Sequence, residues 1–258
     1  MISALKRLVA RAPAPAPAVP PGERVFAVGD IHGRLDLFDD LLAQIDADDA
    51  ARGPAETTLV LLGDLIDRGP DSCGVIERAR ARSARGRVRI IAGNHEEMLL
   101  GSMARVEALR GFLQFGGRET LLSYPIARKD YDELTMEELH ARLPGLVPPA
   151  HLAFIAAMED QVRIGDYLFV HAGIRPQVPL GEQRTSDLRW IRREFLDSRD
   201  DHGVMVIHGH TIGEEVVEKP NRIGIDTGAF ASGMLTAIGL EGTERWYLQT
   251  EGSSVAAD

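Results

Sequence analysis

The chain has 258 residues, is 44% hydrophobic and carries a formal net charge of −10. That length and apolar content suffice for one large buried core and exclude global disorder. The acidic balance argues against nucleic acid as a partner and makes any site for an anion depend on local cations, whether metal ions or single arginines.

Residues 1–12 read as a short basic amphipathic piece with Lys6, Arg7 and Arg11. Its apolar stretches are too short for the core of a signal peptide, and one such piece is a weak membrane anchor. No segment approaches the ~20 apolar residues of a membrane helix, so no stable membrane insertion is expected. An alternation of Ala and Pro follows up to Gly22, the composition of a semi-extended linker. Residues 1–22 are therefore expected to form a flexible arm, residues 23–250 the folded domain, and residues 251–258 a disordered tail. The single cysteine, Cys73, excludes an internal disulfide and fits a reducing, cytoplasmic setting; its side chain reads as a small packed group.

Residues 24–28 form a β-type run that ends in Gly29-Asp30-Ile31-His32-Gly33. A helical pattern then runs through Leu35, Phe38, Leu41, Leu42 and Ile45. Residues 57–62 form a second strand, an apolar run that drives straight into Gly63-Asp64-Leu65-Ile66-Asp67-Arg68-Gly69. A helix follows from Asp71-Ser72 to about Ala84. Residues 87–92 form a third strand, which ends in Gly93-Asn94-His95-Glu96 and leads to a helix through Met98, Leu99 and Met103. Three consecutive units thus share one plan: strand, glycine-flanked polar cluster, helix. Such alternation predicts parallel strands with helical crossovers. In sheets of that kind, sites form outside the carboxyl ends of the strands, which is where all three clusters fall.

Residues 109–158 read as a mostly helical insertion beside the site, with a glycine pair at Gly116-Gly117, a break from Pro144 to Pro149, and no cluster of the same kind. In it Phe112, Phe115, Leu121 and Leu122 read as local core. Residues 167–170 form a strand ending in His171-Ala172-Gly173. A helix over about 187–196 and a strand over 204–207, ending in His208-Gly209-His210-Thr211, follow. Three further strands, 222–225, 234–240 and 245–249, lack helices between them and are expected to pair antiparallel.

The strand ends therefore collect Asp30, His32, Asp64, Asp67, Arg68, Asn94, His95, His171, His208 and His210, including five of the eight histidines. Carboxylate, imidazole and amide oxygen together suit borderline divalent metals such as Mn, Fe or Zn. The donors suffice for two ions, the usual clamp for in-line displacement at phosphorus. Each residue also has a plainer reading. Asp30, Asp64 and Asn94 are favoured helix caps, and Glu96 and Glu97 suit the first turn of a helix. His208 is either an outer partner of the site or a packed side chain. Arg175 either lines the mouth of the site or is a solvated loop residue.

The five clusters, Gly29-Asp30-Ile31-His32-Gly33, Gly63 to Gly69, Gly93-Asn94-His95-Glu96, Val170-His171-Ala172-Gly173 and Gly209-His210-Thr211, resemble in this order the motifs of the calcineurin-like metallophosphoesterases. Asp67-Arg68-Gly69 resembles the phosphoprotein phosphatase branch. Trp190-Ile191-Arg192 and Ile225-Asp226-Thr227-Gly228-Ala229 are similar to the small bacterial and phage serine/threonine protein phosphatases. The resemblance covers Val25 to about Ile238 and implies an α/β fold, a four-layer αββα sandwich with mixed sheets and a helical insertion.

It also implies roles. Asp30 and His32 would bind one metal, Asp64 would bridge two, and Asn94, His171 and His210 would complete the second, with Mn2+ the foremost candidate and Fe or Zn the alternatives. A bridging hydroxide would attack phosphorus directly. Arg68, Asn94 and Arg192 would hold the phosphate, His95 would protonate the leaving alkoxide, and Asp67 would orient His95. The implied activity is that of a serine/threonine protein phosphatase acting on phosphorylated protein. The rivals are a symmetrical dinucleoside tetraphosphate hydrolase or another small-molecule phosphatase or phosphodiesterase, and a non-catalytic phospho-ligand binding module.

Overall fold

The computed structural model describes residues 16–252; the expectations for residues 1–15 and 253–258 lie outside them. Near the N-terminus the ordered chain begins before Glu23. Ala18 N donates to Asp166 Oδ2 at 3.0 Å, Tyr167 Oη donates to the Pro17 carbonyl at 3.2 Å, and Val19 N donates to the Gly242 carbonyl at 2.8 Å. Val19 is buried in the core. The final residues of the expected arm are therefore a packed strap, because a buried valine and three hydrogen bonds hold them across the turns that follow two strands.

Strand β1 (Glu23–Val28), helix α1 (Leu35–Ala51), β2 (Glu56–Leu61), α2 (Ser72–Ser83), β3 (Arg87–Ile90) and α3 (Asn94–Ala104) follow the expected order closely. The insertion comprises α4 (Val106–Phe112), one π-type turn (Leu113–Gly117), α5 (Arg118–Leu122), α6 (Arg128–Asp132), α7 (Met136–Leu146) and α8 (Pro149–Ala156). Helix α7 continues through Pro144, so the break falls at Val147–Pro148. Phe112 and Leu121 are core, as expected, whereas Phe115 is 52% exposed.

Strands β4 (Gln161–Ile164) and β5 (Tyr167–Val170) form a hairpin. The helix expected over 187–196 is two, α9 (Thr185–Trp190) and α10 (Arg193–Leu196), with Arg192 at the non-helical break between them. Then come β6 (Met205–His208), β7 (Val217–Lys219), β8 (Arg222–Gly224), a single-turn α11 (Ala229–Ser232), β9 (Thr236–Glu241) and β10 (Glu244–Gln249). Strand β8 pairs parallel with β6, against the antiparallel expectation, because the loop and β7 carry the chain back to the same edge before β8 begins.

Two five-stranded mixed sheets result, ordered β10-β9-β1-β2-β3 and β4-β5-β6-β8-β7. The period of two along each strand explains the layering. Val25, Ala27, Val60 and Leu62 face Phe169, Ile207 and Ile223 between the sheets. Phe26, Val28, Leu59 and Leu61 face the other way, onto Phe38, Leu41 and Ile76 of α1 and α2. Leu168, Val170 and Val206 cover the far side with Leu188, Ile191 and Phe195. Helix, sheet, sheet and helix make the expected four layers.

The insertion docks through Phe112, which is fully buried and lies so close to Gly117 that a Cβ there would overlap its ring. Phe112→Ala is expected to cost about 3–5 kcal/mol of stability, read as a lowered urea midpoint; an unchanged midpoint would show that the insertion packs independently of this residue.

Candidate metal centre

The parallel pairing of β1 with β2 and of β2 with β3 brings three strand ends flush, Val28 opposite Leu61 and Leu61 opposite Ile90. The turns beyond them are tied together by backbone. Ile31 N and His32 N donate to the Asp64 carbonyl at 3.1 and 2.9 Å. Six non-glycine residues have positive φ among the described residues, and five are here: His32, Asp64, Asp67, Arg68 and His210. Such conformations are sparsely populated and concentrate where the surrounding structure over-determines them.

Glu96 does much of that holding. It is fully buried, and its carboxylate accepts the amides of Gly93 at 2.8 Å, Asp64 at 2.9 Å and Leu65 at 2.8 Å. The first-turn position is legible from the sequence; the bridging of two turns is not. The spacing of Gly93 and Glu96 points only to the bond within the first turn of the helix and not to the two bonds to the turn after β2. The plain capping alternatives divide. Helix α2 is capped by Asp71, not by Asp64, and α1 has no side-chain cap. Asp64 does accept the His95 amide in the first turn of α3, at 3.1 Å.

The donor set converges on Asp64. His32 donates from Nδ1 to the Ile66 carbonyl at 2.8 Å, which leaves Nε2 3.7 Å from Asp64 Oδ2. His171 likewise gives Nδ1 to the Leu62 carbonyl at 2.8 Å, and its Nε2 lies 3.4 Å from Asp64 Oδ2, 3.0 Å from Asn94 Oδ1 and 3.2 Å from His210 Nδ1. A carbonyl on one ring nitrogen, with the other aimed at shared acceptors, is the usual outer support of a metal-binding histidine. Asp30 accepts the His210 amide through both oxygens, at 3.0 and 3.2 Å. His210 Nε2 is buried with no partner. Acceptor atoms crowded this closely require a cation or a proton among them, so the residues fit divalent metal.

Two groups, His32–Asp64–His95 and Asp64–His171–His210, bring one ligand atom from each residue within 4.8 Å of one another, with Asp64 common to both. Burial foremost, helped by His95 and Arg68 at His32 and by His171 and Arg192 at His210, outweighs the opposing Asp64 carboxylate and pushes both imidazoles down to about 3, so both stay neutral. Burial also disfavours charge on His171, but Asp64 outweighs it and holds that imidazole above its ordinary value.

Beside this set stands a pair. His95 Nδ1 donates to Asp67 Oδ2 at 2.5 Å, and His95 Nε2 lies 3.8 Å from Asp64 Oδ2. Burial alone would lower the His95 value; the Asp64 and Asp67 carboxylates raise it above the ordinary one. The half-buried Arg68 donates to His32 Nε2 at 2.8 Å and to His95 Nε2 at 3.1 Å, with Phe230 stacked 4.7 Å over its guanidinium. Arg192 is exposed at the rim, and its charge contributes to the depression of His210. Two nearby arginines are engaged elsewhere, Arg175 with Asp187 and Arg189 with Glu97 and Asp160. His208 is packed, its nitrogens meeting the Gly209 carbonyl and Arg222 and its ring the edge of Phe195. Thr120, from the insertion, donates to Asp67, a contact to which no local sequence pattern points.

Fold and donor set together define a metallophosphoesterase. The chain belongs to the calcineurin-like phosphoesterase family, whose model matches residues 23–223. It is 29% identical over 220 residues to serine/threonine-protein phosphatase 1 of Salmonella typhimurium, covering 82% of this chain and 89% of that protein. It is 34% identical over 153 residues to the symmetrical bis(5'-nucleosyl)-tetraphosphatase of Acidovorax sp., covering 59% of this chain and 45% of that protein, less than half its length. A crystal structure described as that of a proposed diadenosine tetraphosphatase superposes with a TM-score of 0.63 at 21% identity, covering 93% of this chain and all of the other. The family match and the phosphatase relatives support a phosphoester hydrolase. No helix among the described residues is long and apolar enough to cross a membrane.

Two outcomes follow from this geometry. Asp64→Asn should lose bound metal and turnover together, by more than the roughly 10–100-fold that loss of an outer partner costs; unchanged metal content would remove Asp64 from the ligand set. Because His171 is held above its ordinary value, protons compete with metal for it at low pH and not at high pH. Apparent affinity for Mn2+ should therefore fall by up to about tenfold per pH unit as the pH drops through the His171 value. Calorimetric titration reads this, and affinity independent of pH across that range would contradict it.

Proposed function

We propose that the protein is a phosphomonoesterase acting on phosphoserine and phosphothreonine in proteins. Asp30, His32 and Asp64 would hold one divalent ion, and Asp64, Asn94, His171 and His210 would hold a second, Mn2+ foremost with Fe or Zn as alternatives. When bound, the ions supply Lewis acidity and an acidified water as nucleophile. Arg68, Asn94 and Arg192 bind phosphate oxygens, the arginines with the fork geometry that suits them. Asp67 fixes the orientation of His95, and His95 gives a proton to the departing oxygen.

The single observation that carries this reading is the His95–Asp67 pair, 2.5 Å apart and within 3.8 Å of the shared Asp64 carboxylate. A serine or threonine alkoxide is a poor leaving group that needs a proton as the bond breaks. A nucleotide phosphate departs as a stable anion and does not. The Salmonella relative, matched over 89% of its length, adds support.

A second reading, symmetrical hydrolysis of dinucleoside tetraphosphates, is favoured by the Acidovorax relative and by a Paracidovorax citrulli relative of the same name, 28% identical and matched over 91% of its length.

A panel of phosphoserine peptide, p-nitrophenyl phosphate, a phosphodiester analogue and diadenosine tetraphosphate separates them. Turnover of the peptide is expected; its absence beside rapid cleavage of the dinucleotide would establish the second reading. His95→Asn should slow the peptide by about 10²–10⁴-fold and p-nitrophenyl phosphate far less.

A further inference from the structure

We propose that Thr120, carried by the helical insertion, is a positioning residue for proton donation: it fixes the Asp67 carboxylate that in turn orients His95. The proposal rests on the reading of His95 as the proton donor.

The contacts are specific. Thr120 Oγ1 donates to Asp67 Oδ1 at 2.6 Å, while Asp67 Oδ2 takes His95 Nδ1. The same hydroxyl accepts the Asp67 amide at 2.8 Å, so it grips one residue at two points from 53 positions away in sequence. Ser72 Oγ accepts that amide as well, at 3.0 Å, and lies 2.9 Å from Thr120 Oγ1. Asp67, Ser72 and Thr120 are all fully buried. A buried carboxylate oxygen with no donor is unfavourable, and here the hydroxyl is the donor that occupies the second oxygen.

A threonine within a helix commonly turns its hydroxyl back to a carbonyl of the preceding turn. Thr120 sits in the middle of α5 and turns its hydroxyl outward, to Asp67 and Ser72. The insertion also holds the next residue of the same turn: Arg68 N donates to the Gly116 carbonyl at 3.1 Å. Both residues so held have left-handed backbones, φ 74 at Asp67 and φ 68 at Arg68. The segment from the π-type turn to α5 therefore grips the catalytic turn at two adjacent points, and Thr120 is the one whose side chain touches the acid pair.

A residue acting through the proton donor matters in proportion to how badly the leaving group needs a proton. The test uses the Mn2+-loaded enzyme and a series running from alkyl phosphate and phosphoserine peptide to p-nitrophenyl phosphate. Thr120→Val keeps the shape and removes the hydroxyl. It is expected to lower kcat about 10–100-fold on the alkyl substrates, to leave p-nitrophenyl phosphate within a few-fold, and to keep metal content and the circular dichroism spectrum. Thr120→Ser is expected to restore the alkyl rate, and Thr120→Ala provides a second hydroxyl-free variant if the valine form folds poorly. In a His95→Asn background Thr120→Val should cost nothing further, because residues acting as one unit are not additive. Equal losses across the leaving-group series, lost metal, or a full additional loss in the His95→Asn background would each overturn the proposal alone. If His95→Asn itself slows every substrate equally, the proton-donor reading falls and the proposal falls with it.

Discussion

The site depends on one buried carboxylate outside the ligand set. Glu96 accepts three amides, two from the turn after β2 and one from the turn after β3. Through Asp64, whose carbonyl accepts Ile31 and His32, the turn after β1 joins the same assembly. Three strand ends brought flush by parallel pairing are thus locked by one side chain and one carbonyl. This is what makes the left-handed backbones at His32, Asp64, Asp67 and Arg68 tenable, since each costs on the order of 1–3 kcal/mol in isolation. It also accounts for the glycine after β3: a Cβ at Gly93 would overlap the Asp64 carboxylate.

Glu96 holds the catalytic turn from the sheet side, and the insertion holds it from the other. Glycine recurs at that second contact, where Gly116 has φ 106 and a Cβ would press on Arg68. Asp67 and Arg68 consequently stand between two rigid bodies, the parallel sheet and a helical layer anchored by Phe112. The arrangement separates two tasks by source. The proposed metal donors come from strand ends of the two sheets, whereas the proposed orientation of the His95–Asp67 pair comes from the insertion. That division offers a route by which the insertion alters chemistry on the substrate without touching the metal set.

Much of this is legible from sequence because an apolar run that ends in a glycine-bracketed polar cluster fits a buried strand delivering side chains to a site and little else. β1, β2 and β5 end in such runs, and their bounds fall close to where the pattern puts them; β3, Arg87-Val88-Arg89-Ile90, is marked instead by the cluster that follows it. Two edge strands are marked by neither. β4 and β7 are short, and Val217-Glu218-Lys219 carries a single apolar residue, so neither has a core-facing run to reveal it. The parallel pairing of β8 escapes the pattern because its crossover is a loop with a hairpin strand in place of a helix. Arg192 reads as helical because its neighbours continue a helical composition, although the backbone breaks there. Thr120 and Glu96 are hidden in another way. The partner of Thr120 is 53 residues distant, and Glu96 sits where any helix welcomes an acid, so local pattern gives neither residue a special role.

The electrostatics of the centre are unbalanced by the chain alone. Asp30, Asp64 and Asp226 are all buried in one basin. Burial, and then its neighbours Asp226 and Asp64, hold Asp30 well above the usual carboxylate range, and burial raises Asp226 as well. Asp64 is held below that range in spite of its burial, because His171, His95 and His32 surround it. Beside the Arg68 guanidinium, protons on these groups and a bound cation are then alternative sources of positive charge in the basin. Metal binding and proton release are then one event, since the same lone pairs serve both. Because the strained turns are assembled only in the native state, a cation that binds there stabilises the fold by mass action. The donor set and the strained backbone that carries it are in that sense a single thermodynamic unit, and a change at either is felt both as metal affinity and as stability.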